Sequence, residues 1–248
     1  MYKKKELQQQ LSAIGVDPTG TLMIHLSCKA IGQVNGGGDA ILDALSDYMK
    51  EGLLVLPTHT WAHINHNNPV MDLLHTKSCV GALTELFRHR KDVQRTLHPT
   101  HSVAVLGKDA TEFAAGEEKI QSPCGKDGAY YKLWERNAQI LLIGVNFTRN
   151  TYIHGIEEWD GATGALTKET VDRYVITREG KRLHTPQHSH CSRLSSETFS
   201  KLEPEAEQKG ILTLGSFGDA TTRLMRARDL RTMVAAQLER DPTYLLRY

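Results

Sequence analysis

Two residues in this chain have the types and spacing of an acid–base pair. His154 and Glu157 stand three apart in the stretch Ile140–Trp159, ILLIGVNFTRNTYIHGIEEW. An apolar run ends at Gly144, passes through polar Asn146 to Asn150 and restarts with a helical pattern, which predicts a buried strand handing over to a helix. Helical spacing puts both side chains on one face, just past a strand end, where open α/β sheets bind ligands. An imidazole titrates near neutrality and, with a carboxylate in reach, can act as a general base. Asn150 or Thr151 is placed to cap the helix start. On spacing alone, an ordinary surface pair is the competing reading.

Three further groups could carry chemistry. The loop HLSCKAIGQVNGGG, His25 to Gly38, follows a strand and precedes a helix. Such a loop can offer backbone N–H groups to a phosphate, although it fits neither the dinucleotide fingerprint nor a P-loop. HPTHS, His98 to Ser102, places His98 and His101 in an extended loop, able to hydrogen-bond a substrate or bind metal. Further potential ligands are His59, His63, His66, His184, His188, His190 and Cys191, but no spacing matches a zinc signature. Cys28 is the one cysteine whose placement suits a nucleophile, and a small buried role competes with that.

Composition narrows the classes. The chain has 248 residues and a net charge of +1, which speaks against an electrostatic nucleic-acid binder. No apolar run approaches a membrane span, and MYKKKELQQQL carries no apolar signal region, so a cytoplasmic protein is expected. The four cysteines, Cys28, Cys79, Cys124 and Cys191, form no CxxC pair and are expected as free thiols.

The elements that must position these residues alternate. Helices are expected at Lys3–Ile14, Ala40–Met49, Val80–His89, Ala110–Ala115, Tyr130–Arg136, Ser196–Gln208 and Asp229–Glu239. Strands are expected at Leu22–Leu26, Leu53–Leu56, Ser102–Leu106, Gln139–Val145 and Ile211–Leu214, with a hairpin around Arg178-Glu179-Gly180. Ala220–Arg226 reads as helix or strand, and Thr58–Ser78 as a long loop rich in His and Asn. Strand–helix alternation implies a layered α/β/α domain over residues 1–248, and the hairpin makes its sheet mixed.

These motifs, in this order, resemble the aminoglycoside N3-acetyltransferase family, also called the antibiotic N-acetyltransferase family. HLSCKAIGQVNGG is similar to that family's HSSLSSIGxVxGG, and EGLLVLPTHT to its strand ending in Pro-Thr. RTLHPTHSVAVLGKDA resembles RxxHPxxSxxxxGxxA, QSPCG an SPxG loop, and LLIGVNFTRNTYIHGIEE the pattern LLIGVGxxxNTSxHxxE. KGILTLGSFGDATTRLMRARDL resembles the C-terminal GxxxxGxxGxAxxRLxxxRDL.

The resemblance implies a fold distinct from the GNAT acetyltransferases. It implies acetyl-CoA as cosubstrate, no metal, and a small-molecule amine as acceptor, first of all the 3-amino group of an aminoglycoside. An antibiotic-resistance enzyme, monomer or homodimer, with no nucleic-acid or membrane partner, is the corresponding expectation. It assigns His154 as general base with Glu157 beside it. Glu158, Glu205 and Glu207 stay open as the pairing carboxylate. It gives Ser27, Lys29, Ala30, Ile31, Gly32, Ser122 and Thr151 to the coenzyme A side, with His98 and His101 expected at the substrate. SCKAI stands where the family has SSLSS, so Lys29 is a candidate for a coenzyme A phosphate. NTY replaces NTS, which puts bulky Tyr152 beside the histidine. A metal-dependent hydrolase built on the histidine-rich segments and a non-catalytic coenzyme A-binding protein are the competing classes.

Overall fold

Leu22, Met23 and Ile24 are all fully buried, so the strand carrying them needs cover on both faces. The computed structural model, which describes residues 1–247, supplies it. The described strands are β1 (Thr21–Leu26), β2 (Leu53–Pro57), β3 (Val70–Asp72), β4 (Gln94–Arg95), β5 (Val103–Gly107), β6 (Gln139–Ile143), β7 (Tyr174–Ile176), β8 (Arg182–His184), β9 (Thr213–Phe217) and β10 (Ala220–Arg226). Seven form one sheet in the order β4-β5-β2-β1-β6-β10-β9. Its centre is parallel: β1 pairs with β2 on one side and β6 on the other. The remaining neighbours are antiparallel, so the sheet is mixed, as expected. A second sheet has the order β3-β7-β8.

The α-helices are α1 (Lys4–Ile14), α2 (Cys28–Ile31), α3 (Gly37–Tyr48), α4 (Ala82–Phe87), α5 (Ala110–Ala114), α6 (Ala129–Glu135), α7 (Tyr152–Trp159), α8 (Glu203–Gln208) and α9 (Ala227–Arg240). Strand side chains alternate between faces, and the core divides accordingly. Leu22, Ile24, Leu54 and Leu141 pack under α1, α3 and α4. Met23, Val55, Ile140 and Leu142 pack under α6, α7 and α9. Each such side chain, fully buried, stabilises the fold by roughly 2 kcal/mol. His25 shares the parity of Met23 and so points to the face that carries α7.

Departures from the expected elements have local causes. Ser196–Gln208 is not one helix: a 3-10 segment, Ser196–Leu202, precedes α8, and Pro204 sits in the first turn of α8, where its missing N–H is tolerated. Within Thr58–Ser78, β3 forms by pairing with β7, a partner about a hundred residues on. Ala220–Arg226 is a strand because β6 and β9 flank it. The third strand of that group begins at Thr213, later than the apolar run at Ile211 indicates.

Candidate active site

The ends of the parallel strands β1, β2 and β6 open into a cleft of about 730 Å³. Leu26 and Ser27 reach it from β1, Pro57 and His59 from β2, and Val145 from β6. His154 lines it from the first turn of α7. Gly144 makes the turn out of β6 with φ +64, and a Cβ there would stand 2.3 Å from the Ala30 Cβ. This interlock joins α2 to the end of β6.

The start of α7 differs from the sequence expectation. Asn146 accepts the Thr148 N–H at 3.1 Å and caps a 3-10 turn, Phe147–Arg149. Thr151 occupies the N-cap position of α7 without a side-chain capping bond, and Asn150 is fully buried with its Nδ2 towards Met225 Sδ. The capping acceptor therefore sits one short turn earlier than expected. Tyr152 does not crowd the cleft. Its ring is buried in the core and its hydroxyl donates to the Ala227 carbonyl at 2.9 Å.

His154 Nδ1 and Glu157 Oε2 lie 2.7 Å apart, with the Glu157 side chain fully buried and the His154 side chain 14% exposed. Among the carboxylates left open, Glu157 is the one in contact. Glu205 instead meets Gln237 and Lys209. The His154 ring is held by His190 on one side, with centroids 4.6 Å apart, and by the edge of Phe199 at 4.7 Å. Among the described residues Nε2 has no hydrogen-bond partner, and the ring lines the cleft.

Burial sets the protonation of this pair. It lowers the imidazole to about 4 and raises the Glu157 carboxyl to about 8. Both shifts have one sense. With two protons the pair is neutral overall, and burial resists adding a third or removing the second. Loss of the second proton leaves Glu157 ionised, Nδ1–H donating to it and Nε2 free as a base. Glu157 Oε1 has no partner, which adds to the cost of the carboxylate.

Glu158 is a hub and not a second partner for His154. Its Oε2 accepts from Ser122 Oγ at 2.6 Å, and its Oε1 meets the Cys124 N–H at 2.8 Å and His190 Nε2 at 2.7 Å. Cys124, Glu158 and His190 are also the described residues whose potential metal-ligand atoms lie within 4.8 Å of one another. Both carboxylate oxygens are already engaged in hydrogen bonds, so this group is wired as a polar network. Burial raises the Cys124 thiol well above its usual range.

The other expected site residues divide. Ser27, Thr151 and His101 line the cleft. Ile31 is fully buried in the core, and Lys29 is exposed outside the lining. Gly32 holds φ +80 where a Cβ would meet Asp219 Oδ2, so its glycine is required by the backbone. Ser122 is not part of the lining and donates from its Oγ to Glu158 Oε2. His98 has no free ring nitrogen: Nδ1 accepts the Thr100 and His101 N–H groups at 3.2 and 2.9 Å, and Nε2 donates to the Ser122 carbonyl at 3.0 Å. It ties the HPTHS turn to the Ser122 loop, in place of the expected substrate contact.

Arg95 holds the neighbouring wall. Its guanidinium bonds the carbonyls of Thr58, Leu73 and Thr76 at 2.8, 3.2 and 2.7 Å, and Ser102 Oγ at 3.2 Å. With Arg88, which bonds the Leu74 carbonyl at 2.9 Å, it fastens the long segment after β2.

With this geometry in place, comparison with known proteins is decisive. The sequence profile of the family described as aminoglycoside 3-N-acetyltransferase matches residues 23–239. The chain belongs to this family. It is 30% identical to the SPbeta prophage-derived aminoglycoside N(3')-acetyltransferase-like protein YokD of Bacillus subtilis (strain 168), over 89% of this chain and 86% of that one. It is 26% identical to aminoglycoside N(3)-acetyltransferase IV of Salmonella sp, over 99% of this chain and 90% of the relative. The apoenzyme structure of aminoglycoside acetyltransferase AAC(3)-IVa superposes with a TM-score of 0.82 at 26% identity, covering 100% of this chain and 92% of that one. AAC-IIIb in a binary complex with CoASH has the same fold, with a TM-score of 0.85 at 19% identity over 96% and 97% of the two chains. The expected class, an acyltransferase using acetyl-CoA and an amine acceptor, is the class of this N-acetyltransferase family. No helix among the described residues is long and apolar enough to cross a membrane.

Sequence reasoning passed over several cleft residues. His190 entered only as a spare metal ligand, and nothing local joins it to His154. His25 was legible from strand parity with Met23. Arg173 lies in a segment without periodicity, and no local pattern marks it.

Proposed function

We propose that this member of the aminoglycoside 3-N-acetyltransferase family transfers acetyl from acetyl-CoA directly to an amine, with His154 as general base and Glu157 as its orienting partner. The 3-amino group of an aminoglycoside is the acceptor to which the family name points. The observation that carries the reading is the buried His154–Glu157 contact, with Nε2 left to the cleft at the strand ends.

The amine reacts as the free base, having given its first proton to solvent. Its nitrogen bonds the thioester carbonyl carbon, and Nε2 takes the second N–H proton as the C–S bond breaks. That proton passes to the departing thiolate, giving CoASH and an N-acetyl amide. Glu157, holding Nδ1–H, fixes the tautomer and stabilises the imidazolium while it exists. No acyl-enzyme is needed, so the main task of the cleft is to hold two substrates in line. Ser27 and Thr151 support a coenzyme A side there. The cleft draws residues from His25 to Ser196, which supports a single working domain.

Amine-dependent thiol release from acetyl-CoA tests the reading. His154→Ala is expected to abolish it while acetyl-CoA still binds. Undiminished turnover in that variant would remove His154 as base.

A further inference from the structure

The second sheet delivers one unmatched cation to the cleft. Arg173 precedes β7, lines the cleft that holds His154, and is 9% exposed. Its Nη2 donates to Ser189 Oγ at 3.1 Å, and its Nε is buried without an acceptor. It has no carboxylate partner among the described residues. The other buried guanidiniums are provided for: Arg88 is paired with Glu85 at 2.7 Å, and Arg95 is wrapped by carbonyls. A buried, underbonded guanidinium is unfavourable unless an anion completes it, and burial accordingly lowers the Arg173 pKa.

The place matters as much as the charge. Ser189 adjoins His190, and the His190 ring lies against His154. An anion on Arg173 therefore sits in the neighbourhood of the reacting atoms. The phosphates of coenzyme A are separated from its thioester by the whole pantetheine arm, so such an anion belongs to the acceptor. The lining also contains Arg149 but, among the described residues, no Asp or Glu. The nearest acids, Glu157 and Glu158, are taken up by the His154 and His190 rings and present no carboxylate to the lining.

We propose that the natural acceptor is an amine that bears a carboxylate, held by Arg173 and Ser189 while its nitrogen reaches His154. The proposal rests on the acetyl-transfer reading above and replaces the aminoglycoside, to which the family name points, with another class of amine. A guanidinium edge can meet both carboxylate oxygens with parallel N–H donors. The chemical step is unchanged: N–C forms, C–S breaks, the proton travels by Nε2 to the thiolate, and the carboxylate is a spectator.

The test compares ω-amino acids from glycine to 6-aminohexanoate, each with its methyl ester, and gentamicin, all with acetyl-CoA at one alkaline pH. At least one acid is expected to exceed its own ester and gentamicin in kcat/KM by about 100-fold, the scale of a buried charge-assisted contact. Arg173→Gln is expected to erase the acid–ester gap with the KM for acetyl-CoA unchanged, and Arg173→Lys to restore part of it. The acid–ester comparison on the unaltered protein is independent of whether either variant folds. Gentamicin outrunning every acid, or acids and esters reacting alike, overturns the carboxylate assignment and leaves acetyl transfer standing. No turnover of any amine overturns both.

Discussion

The imidazole of His190 lies over that of His154, with ring centroids 4.6 Å apart and planes tilted by 37°. Its own Nε2 is fixed by Glu158 Oε1 at 2.7 Å. If His154 is the base proposed, His190 acts on the reaction through the orientation of that ring. His190→Ala is expected to lower kcat by about 10- to 100-fold, the scale of a misplaced reacting group, with little change in the KM for acetyl-CoA. His190→Phe, which keeps a ring against His154, should recover much of the loss. Steady-state kinetics on both variants decide the matter; equal defects would mean that the Glu158 bond and not the stacking is what counts.

The pH profile should report the His154–Glu157 pair. The base-competent form has lost the second of two shared protons, and burial raises the pH at which that loss occurs. The kcat/KM is therefore expected to rise with pH through an acid limb alkaline of a free imidazole. Glu157→Gln removes the carboxylate while keeping a potential acceptor for Nδ1–H. The remaining imidazole, lowered by burial towards about 4, should move the acid limb to lower pH by at least about one unit. The maximal rate should fall by about 100-fold or more as the imidazolium loses its partner. An unmoved limb would show that another group controls the profile.

Arg95 predicts a stability effect without chemistry. Arg95→Met keeps length but leaves the Thr76 carbonyl without a donor and takes one of two donors from the Thr58 and Leu73 carbonyls. The expected cost is about 1–3 kcal/mol, as for leaving a buried acceptor unsatisfied. Urea denaturation measures it, and hydrogen exchange should show the Thr58–Ser78 segment loosening before the main sheet.

Glu117 supplies a pH-dependent term in stability. It is buried against α6, accepts the Ala129 N–H, and burial raises its pKa from 4.5 to about 7. The folded state thus holds a proton that the unfolded chain releases first. The associated stability is complete below about 4.5 and is lost as pH rises to about 7, by at most roughly 3 kcal/mol at 1.36 kcal/mol per unit. Glu117→Gln should remove this slope and be the more stable protein above pH 7. Denaturation midpoints for both proteins between pH 5 and 8 check it.

The main sheet was legible because its central strands are unbroken apolar runs, and the helices because their apolar residues recur at helical spacing. His154 and Glu157 were legible because both lie on one short helix that local signals delimit. What could not be read depends on distance along the chain. β3 exists through β7, His190 matters through a ring 36 positions earlier in sequence, and Arg173 is informative only because no acid meets it. His98 shows the reverse: its HPTHS setting advertised a ligand, but two backbone N–H groups close on its Nδ1. The resemblance named the enzyme class, while the sign of the cleft's charge required the fold.

Arg173 hangs from the three-stranded sheet, whereas His154 follows the centre of the seven-stranded one. On the roles proposed for them, acceptor choice and proton transfer are mounted on separate scaffolds. Selection can rework the smaller sheet, exchanging one class of amine for another, while the reaction machinery stays as it was.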